Sequence, residues 1–161
     1  MHFSRWMESV NFPTEFTVKV QKTYLDQPTL EIEGWGFIRL FYSSDIWIVH
    51  MLRGEQPGAA TPLYFAALWW ALVNGDNMLK QHRLKPTYGQ LASDSTLSPD
   101  AIRARVRFQQ MYHDYLDVSK HPSDNVQVHR GDGSDWRRPA TDLEASVWRL
   151  KKRPPFEFMF V

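Results

Sequence analysis

Between Phe16 and Gln21 apolar and polar residues alternate, with Phe16, Val18 and Val20 set against Thr17, Lys19 and Gln21. A period of two puts one row on each face of a half-buried strand. Asp26-Gln27-Pro28 predicts a turn, and Thr29 to Tyr42 an extended run with Leu30, Ile32, Ile38 and Leu40 as its inward set. Gly34 and Gly36 flank Trp35 inside that run, which predicts a bulge or a close backbone approach. After Ser43-Ser44-Asp45, the segment Ile46-Trp47-Ile48-Val49 predicts another strand. Connections this short favour an antiparallel meander.

The pattern then changes to helical. Thr61-Pro62 reads as an N-cap followed by proline at the first helical position. Leu63 to Val73 is apolar on all sides, so this helix should be buried on more than one face. Asn74-Gly75 reads as its stop, with Asp76 restarting a turn through Met78 and Leu79. Beyond Pro86 a helical pair is expected, its second member running from Ser98 to about Val118 before Pro122-Ser123-Asp124 breaks it.

Val126 to Arg138 then reads as a hairpin with a glycine-rich tip at Gly131–Ser134. Thr141-x-x-Glu144 is a capping-box pattern, opening a helix with Leu143, Val147 and Leu150 on one face and Arg149, Lys151, Lys152 and Arg153 near its end. Pro154-Pro155 stops it, and Phe156 to Val161 reads as a closing strand. The expected class is α+β: an N-terminal antiparallel sheet, a buried central helix, a helix-turn-helix-like pair, a basic hairpin, and a C-terminal helix plus strand. The 161 residues suit one domain over 1–161, with a sub-boundary near 84–86.

Composition narrows the chemistry. The chain has no cysteine, which excludes disulfides, thiolate metal sites and cysteine nucleophiles. Its longest apolar run falls short of the roughly 20 residues a membrane helix needs, and residues 1–12 lack the apolar core of a signal peptide. A soluble, cytoplasmic protein is the expectation. No phosphate-binding glycine loop or serine elbow is present, so neither cofactor nor metal is expected, and the chain reads as non-enzymatic. Seven Trp, ten Phe and six Tyr supply more aromatic area than an ordinary core requires, which fits a tight core or a contact surface. A net charge of +1 leaves any basic face local.

Within Thr87 to Arg107, Leu91-Ala92, Ser98 six residues on, then Ile102 and Val106 follow a wedge spacing that resembles the winged helix-turn-helix family. A small residue at Ala92 would let two helices approach, and Ser98-Pro99-Asp100 would start the second. The resemblance implies a DNA-binding regulator or accessory factor, acting on double-stranded DNA as a homodimer. Arg103, Arg107 and Gln110 would contact bases, and Arg130, Arg137 and Arg138 around the hairpin would contact phosphates.

Two other readings stay open. Arg107-FQQMY-His113 resembles the HEPN ribonucleases, all-helical domains in which an arginine and a histidine on one helix act on RNA. Alternatively the chain is a protein–protein interaction module, such as a small inhibitor or adaptor from a mobile element, with Trp6 and Trp35 as exposed anchors.

Overall fold

The alternation in the first half builds four consecutive antiparallel strands: β1 (Glu15–Tyr24), β2 (Gln27–Ile32), β3 (Gly36–Ser43) and β4 (Ile46–Gly54). The computed structural model describes residues 11–24, 27–93, 96–120, 125–129, 135–139 and 146–161, with backbone alone at 23, 96–97, 125–129 and 135–139. Val18, Leu30, Ile38, Leu40 and Trp47 point inward from the meander and are fully buried. The expected run from Thr29 to Tyr42 is two strands rather than one bulged strand. Gly34 and Gly36 have positive φ, 80° and 128°, which turns the chain between β2 and β3. A Cβ on Gly36 would lie 1.9 Å from the Arg53 carbonyl oxygen, so only glycine lets β3 start there.

Helix α1 (Ala60–Trp70) follows, with Leu63, Phe65, Ala66, Ala67 and Leu68 all fully buried, as its unbroken apolar pattern requires. It does not stop at Asn74-Gly75. A π turn over Ala71–Gly75 carries the helix on into α2 (Asp76–Gln81). Gly75 is helical, at φ −64°, and the indoles of Trp47 and Trp70 occupy the space where a side chain would stand.

Residues 87–93 contain no helix. Tyr88 and Gly89 both have positive φ, which breaks any helical turn there. Leu91–Ser93 form β5, lying parallel to β4 and antiparallel to the later strand that contains Trp148. Leu91 and Ala92 are each fully buried, one in the main core and the other in a small cluster with Ile46 and Val147. The helix-turn-helix pair is therefore replaced by a central strand and a single helix. That helix, α3 (Pro99–Met111), begins where Ser98 predicts. It ends well before Val118, in a 3-10 turn (His113–Tyr115) and strand β7 (Leu116–Lys120).

The expected C-terminal helix is also a strand, β10 (Ser146–Leu150), while the capping box at Thr141–Glu144 lies outside the described residues. Ser146, Val147 and Trp148 are buried in succession, the mark of a strand covered on both faces. The hairpin strands form as expected, β8 (Asn125–His129) against β9 (Asp135–Pro139), and β8 joins the short β6 (Thr96–Leu97). Their glycine tip lies outside the described residues. Strand β11 (Glu157–Phe160) pairs in parallel with β1.

The result is an α+β protein. Its main sheet runs β11-β1-β2-β3-β4-β5-β10-β7, beside a three-stranded sheet β6-β8-β9. Helix α1 lies against the inner face, where Phe65 meets Phe108 and Tyr112 at 5.0 Å and Phe108 meets Trp148 at 5.0 Å. Much of the aromatic excess is therefore core.

Candidate functional site

Helix α3 sorts its side chains by angle. Its start is fixed by Ser98, whose Oγ accepts a hydrogen bond from the Ala101 amide at 3.1 Å, with proline at the first position. Arg103, Arg107 and Gln110 share one exposed stripe, and Arg103 forms an ion pair with Asp100 one turn back. Arg107 also borders a hollow of about 190 Å³ between α3 and the start of α1, with Phe108, Met111 and Leu52. Arg137 and Arg138 lie on β9, and Arg130 and Trp6 lie outside the described residues.

His113 sits beyond the end of α3. Its Nδ1 is 3.1 Å from the Gln110 carbonyl and its Nε2 3.1 Å from Asp114. Arg107 and His113 are thus not on one helix, and the α+β fold departs from the all-helical HEPN pattern. Trp35 is no free anchor. It is half-buried against Phe12 at 5.6 Å and Phe16 at 5.8 Å, closing the end of the sheet where Phe156 also packs.

The inward stripe of α3 holds a residue that motif reading passed over. Arg105 is 1% exposed. Its Nη2 donates to the Ser146 carbonyl, and its guanidinium carbon lies 4.0 Å from the centre of the Trp148 ring. Nε and Nη1 find no hydrogen-bond partner among the described residues. Burial pulls its pKa down to about 10, with Tyr64 opposing the shift, so the group stays charged at neutral pH. Burial also raises the Tyr64 phenol, which Arg105 partly offsets. One turn on, Gln109 Oε1 accepts from Trp148 Nε1 at 2.7 Å. The signal was present: Ala101, Arg105, Phe108 and Tyr112 recur at helical spacing on one side.

Beside this stripe the sheet splits. Strand β4 has nine residues and β5 three, and the two pair only over Trp47–Val49 and Leu91–Ser93. Beside β4 past Val49 lies a cleft of about 470 Å³, lined by His50, Leu52, Tyr64, Ser93, Ser98 and Ala104 among others. It sits at the carboxyl ends of a parallel pair joined through a helical crossover, a position where strand ends and helix starts converge.

The outer face of β1–β4 is the second feature. Cross-strand register sets Lys19, Glu31, Phe37 and Arg53 in one row and Gln21, Thr29, Arg39 and Met51 in the next. Arg39 lies 5.8 Å from the Phe37 ring centre and donates from Nε to Thr29 Oγ1 at 3.2 Å. Phe41 meets His50 edge-on at 5.6 Å, and Met51 is 43% exposed. Phe37, Arg39 and their neighbours frame a shallow hollow of about 400 Å³. No helix among the described residues is long and apolar enough to cross a membrane. No protein-family model, curated protein or solved structure matches the chain.

Proposed function

We propose that this chain is a non-enzymatic protein-binding module, of the inhibitor or adaptor kind, whose working surface is the outer face of β1–β4. One observation carries the reading: that face groups Phe37, Phe41, Met51, Arg39 and Arg53, half-buried to exposed, on the paired strands β3 and β4. Aromatic residues, methionine and arginine are the types enriched where proteins bury surface against each other, while lysine and glutamate belong to the rim. Here Lys19 and Glu31 face each other toward the β1 side. A matching partner would offer an apolar centre flanked by carboxylates for Arg39 and Arg53.

A photo-crosslinking side chain at position 41, compared with one at position 103, tests this in cells. The expected result is one protein adduct from position 41, lost on combining it with Phe37→Ala and Arg39→Glu in a chain that remains folded. Equal labelling from both positions, or adducts indifferent to those changes, would overturn the reading.

The exposed row Arg103, Arg107 and Gln110 favours a second reading, in which a nucleic acid lies along α3 without a helix-turn-helix. Binding to random duplex DNA would then weaken steeply with salt, and Arg103→Ala and Arg107→Ala would each lower the slope by about one phosphate contact. Absence of salt-dependent binding discards it.

A further inference from the structure

The long helix is buried all round in its first part but not in its last. Ala71, Gly75, Met78 and Leu79 are buried, while Leu72, Val73 and Lys80 are exposed. Arg83, at φ 58°, ends α2, and the chain then returns along the helix. Thr87 bonds to Asp76, and a Cβ on Gly89 would lie 3.1 Å from the Leu72 side chain. This return sets Leu84 and Tyr88, 41% and 60% exposed, beside the same stretch of helix. One turn before Leu72 and Val73, the half-buried Trp69 has the Arg153 guanidinium carbon 5.5 Å from its ring centre.

The charges around these apolar side chains have one sign. Lys80, Arg83 and Lys85 are exposed at one end, and Lys151, Lys152 and Arg153 are exposed in the segment that reaches Trp69. From Gln56 to Ser93 the sequence holds a single carboxylate, Asp76, and from Leu150 to Phe156 it holds none. Asp76 is buried and accepts from the amide and the hydroxyl of Thr87, both at 2.9 Å. We propose that this face docks on an anionic lipid surface. Leu72, Val73, Leu84 and Tyr88 enter the headgroup layer, and the cations meet the lipid phosphates and carboxylates.

The residue types decide between a lipid surface and an acidic protein. Four of the six cations are lysines, which are depleted in protein interfaces but act well as mobile point charges over anionic lipid. Their long stems can lie along apolar surface while the charge stays at the headgroups. Aliphatic side chains next to an exposed tyrosine suit the boundary itself, where one end of a residue is wet and the other dry. The inference goes beyond the protein-binding reading and does not depend on it. The helix lies on the inner side of the main sheet, so both surfaces can be occupied at once.

Co-sedimentation of the whole chain with vesicles tests the assignment, using phosphatidylcholine alone and an equimolar mixture of phosphatidylcholine and phosphatidylserine. The chain should pellet with the mixed vesicles, stay in solution with phosphatidylcholine alone, and be released as sodium chloride is raised. Lys80→Ala and Lys85→Ala should each lower the affinity for mixed vesicles about fivefold, the equivalent of about 1 kcal/mol per cation near the surface. Leu84→Ser combined with Tyr88→Ser should lower it about tenfold or more at unchanged charge, which separates insertion from attraction alone. All four side chains are exposed, so each variant should keep the parent's far-ultraviolet circular dichroism. No binding to mixed vesicles, or binding indifferent to the lysine changes or to the Leu84 and Tyr88 changes, would overturn the proposal. Retention on immobilised polyglutamate without vesicle binding would assign the face to an acidic protein and overturn it equally.

Discussion

A single missing methyl decides how the long helix continues. A Cβ on Gly75 would come within 2.9 Å of Trp47 Nε1 and 3.0 Å of Trp70 Cζ3, both in fully packed indoles. Alanine is the better helix former by about 1 kcal/mol, yet here it must push two tryptophans apart. Overpacking wins, and Gly75→Ala should lose about 1–3 kcal/mol in urea denaturation. A gain in stability would show that the indoles can move. In sequence Asn74-Gly75 reads as a helix stop, because the demand on Gly75 comes from how Trp70 packs against Trp47 of a distant strand, which the local pair of residues does not show. Arg105 was more accessible to reading, since helical spacing alone places it with Phe108 and Tyr112. Tyr64 gives a pH signature. Its phenol is raised above the ordinary 10.0, mainly by burial, so the unfolded chain releases that proton before the folded one does. Its stabilising share is complete below pH 10 and is lost as pH climbs past it. Arg105, lowered to about 10, acts in the opposite sense, because its buried charge is relieved from there upward. Tyr64→Phe should therefore flatten the alkaline fall of unfolding free energy. Identical slopes in variant and parent would remove Tyr64 from the account.

Among the elements, those with a contrast between two faces were legible and those without one were not. Strands β1 and β3 alternate, α1 is apolar throughout, and Ser98-Pro99-Asp100 marks the start of α3 where the structure has it. Strands β5 and β10 are short, central and buried on both faces, so no period separates them from a turn of helix. The site followed the same division. The exposed row on α3 could be read, whereas the cleft lies beside a parallel pairing of β4 with β5 that no local period announces. The Ser98 cap carries a measurable share of α3. Ser98→Ala should cost about 1 kcal/mol and frays the turn that bears Asp100 and Arg103, with little effect on the sheet. Loss of amide protection confined to residues 99–103 in hydrogen exchange would confirm this, and uniform loss would contradict it.

At the scale of the molecule, the stretch at 84–86 is bridged from several sides. Tyr42 donates to the Lys85 carbonyl at 3.2 Å, and Asp76 Oδ1 accepts from both the amide and the hydroxyl of Thr87 at 2.9 Å. Strand β5, just beyond, is inserted between β4 and β10. Unfolding should then be one transition, with tryptophan fluorescence from Trp47, Trp70 and Trp148 tracking far-ultraviolet circular dichroism. Separate midpoints would mean that the two halves melt independently. The pairing of β1 with β11 carries a further consequence, one of time. Glu15 and Glu157 are register partners separated by most of the chain, so on the ribosome β1 is made long before the strand that covers its edge. Until β11 arrives, a row of unpaired amides and carbonyls beside Phe16 and Val18 stands open to any other nascent chain. Slow or interrupted synthesis should therefore expose this protein to aggregation at β1, even though the finished fold hides that edge.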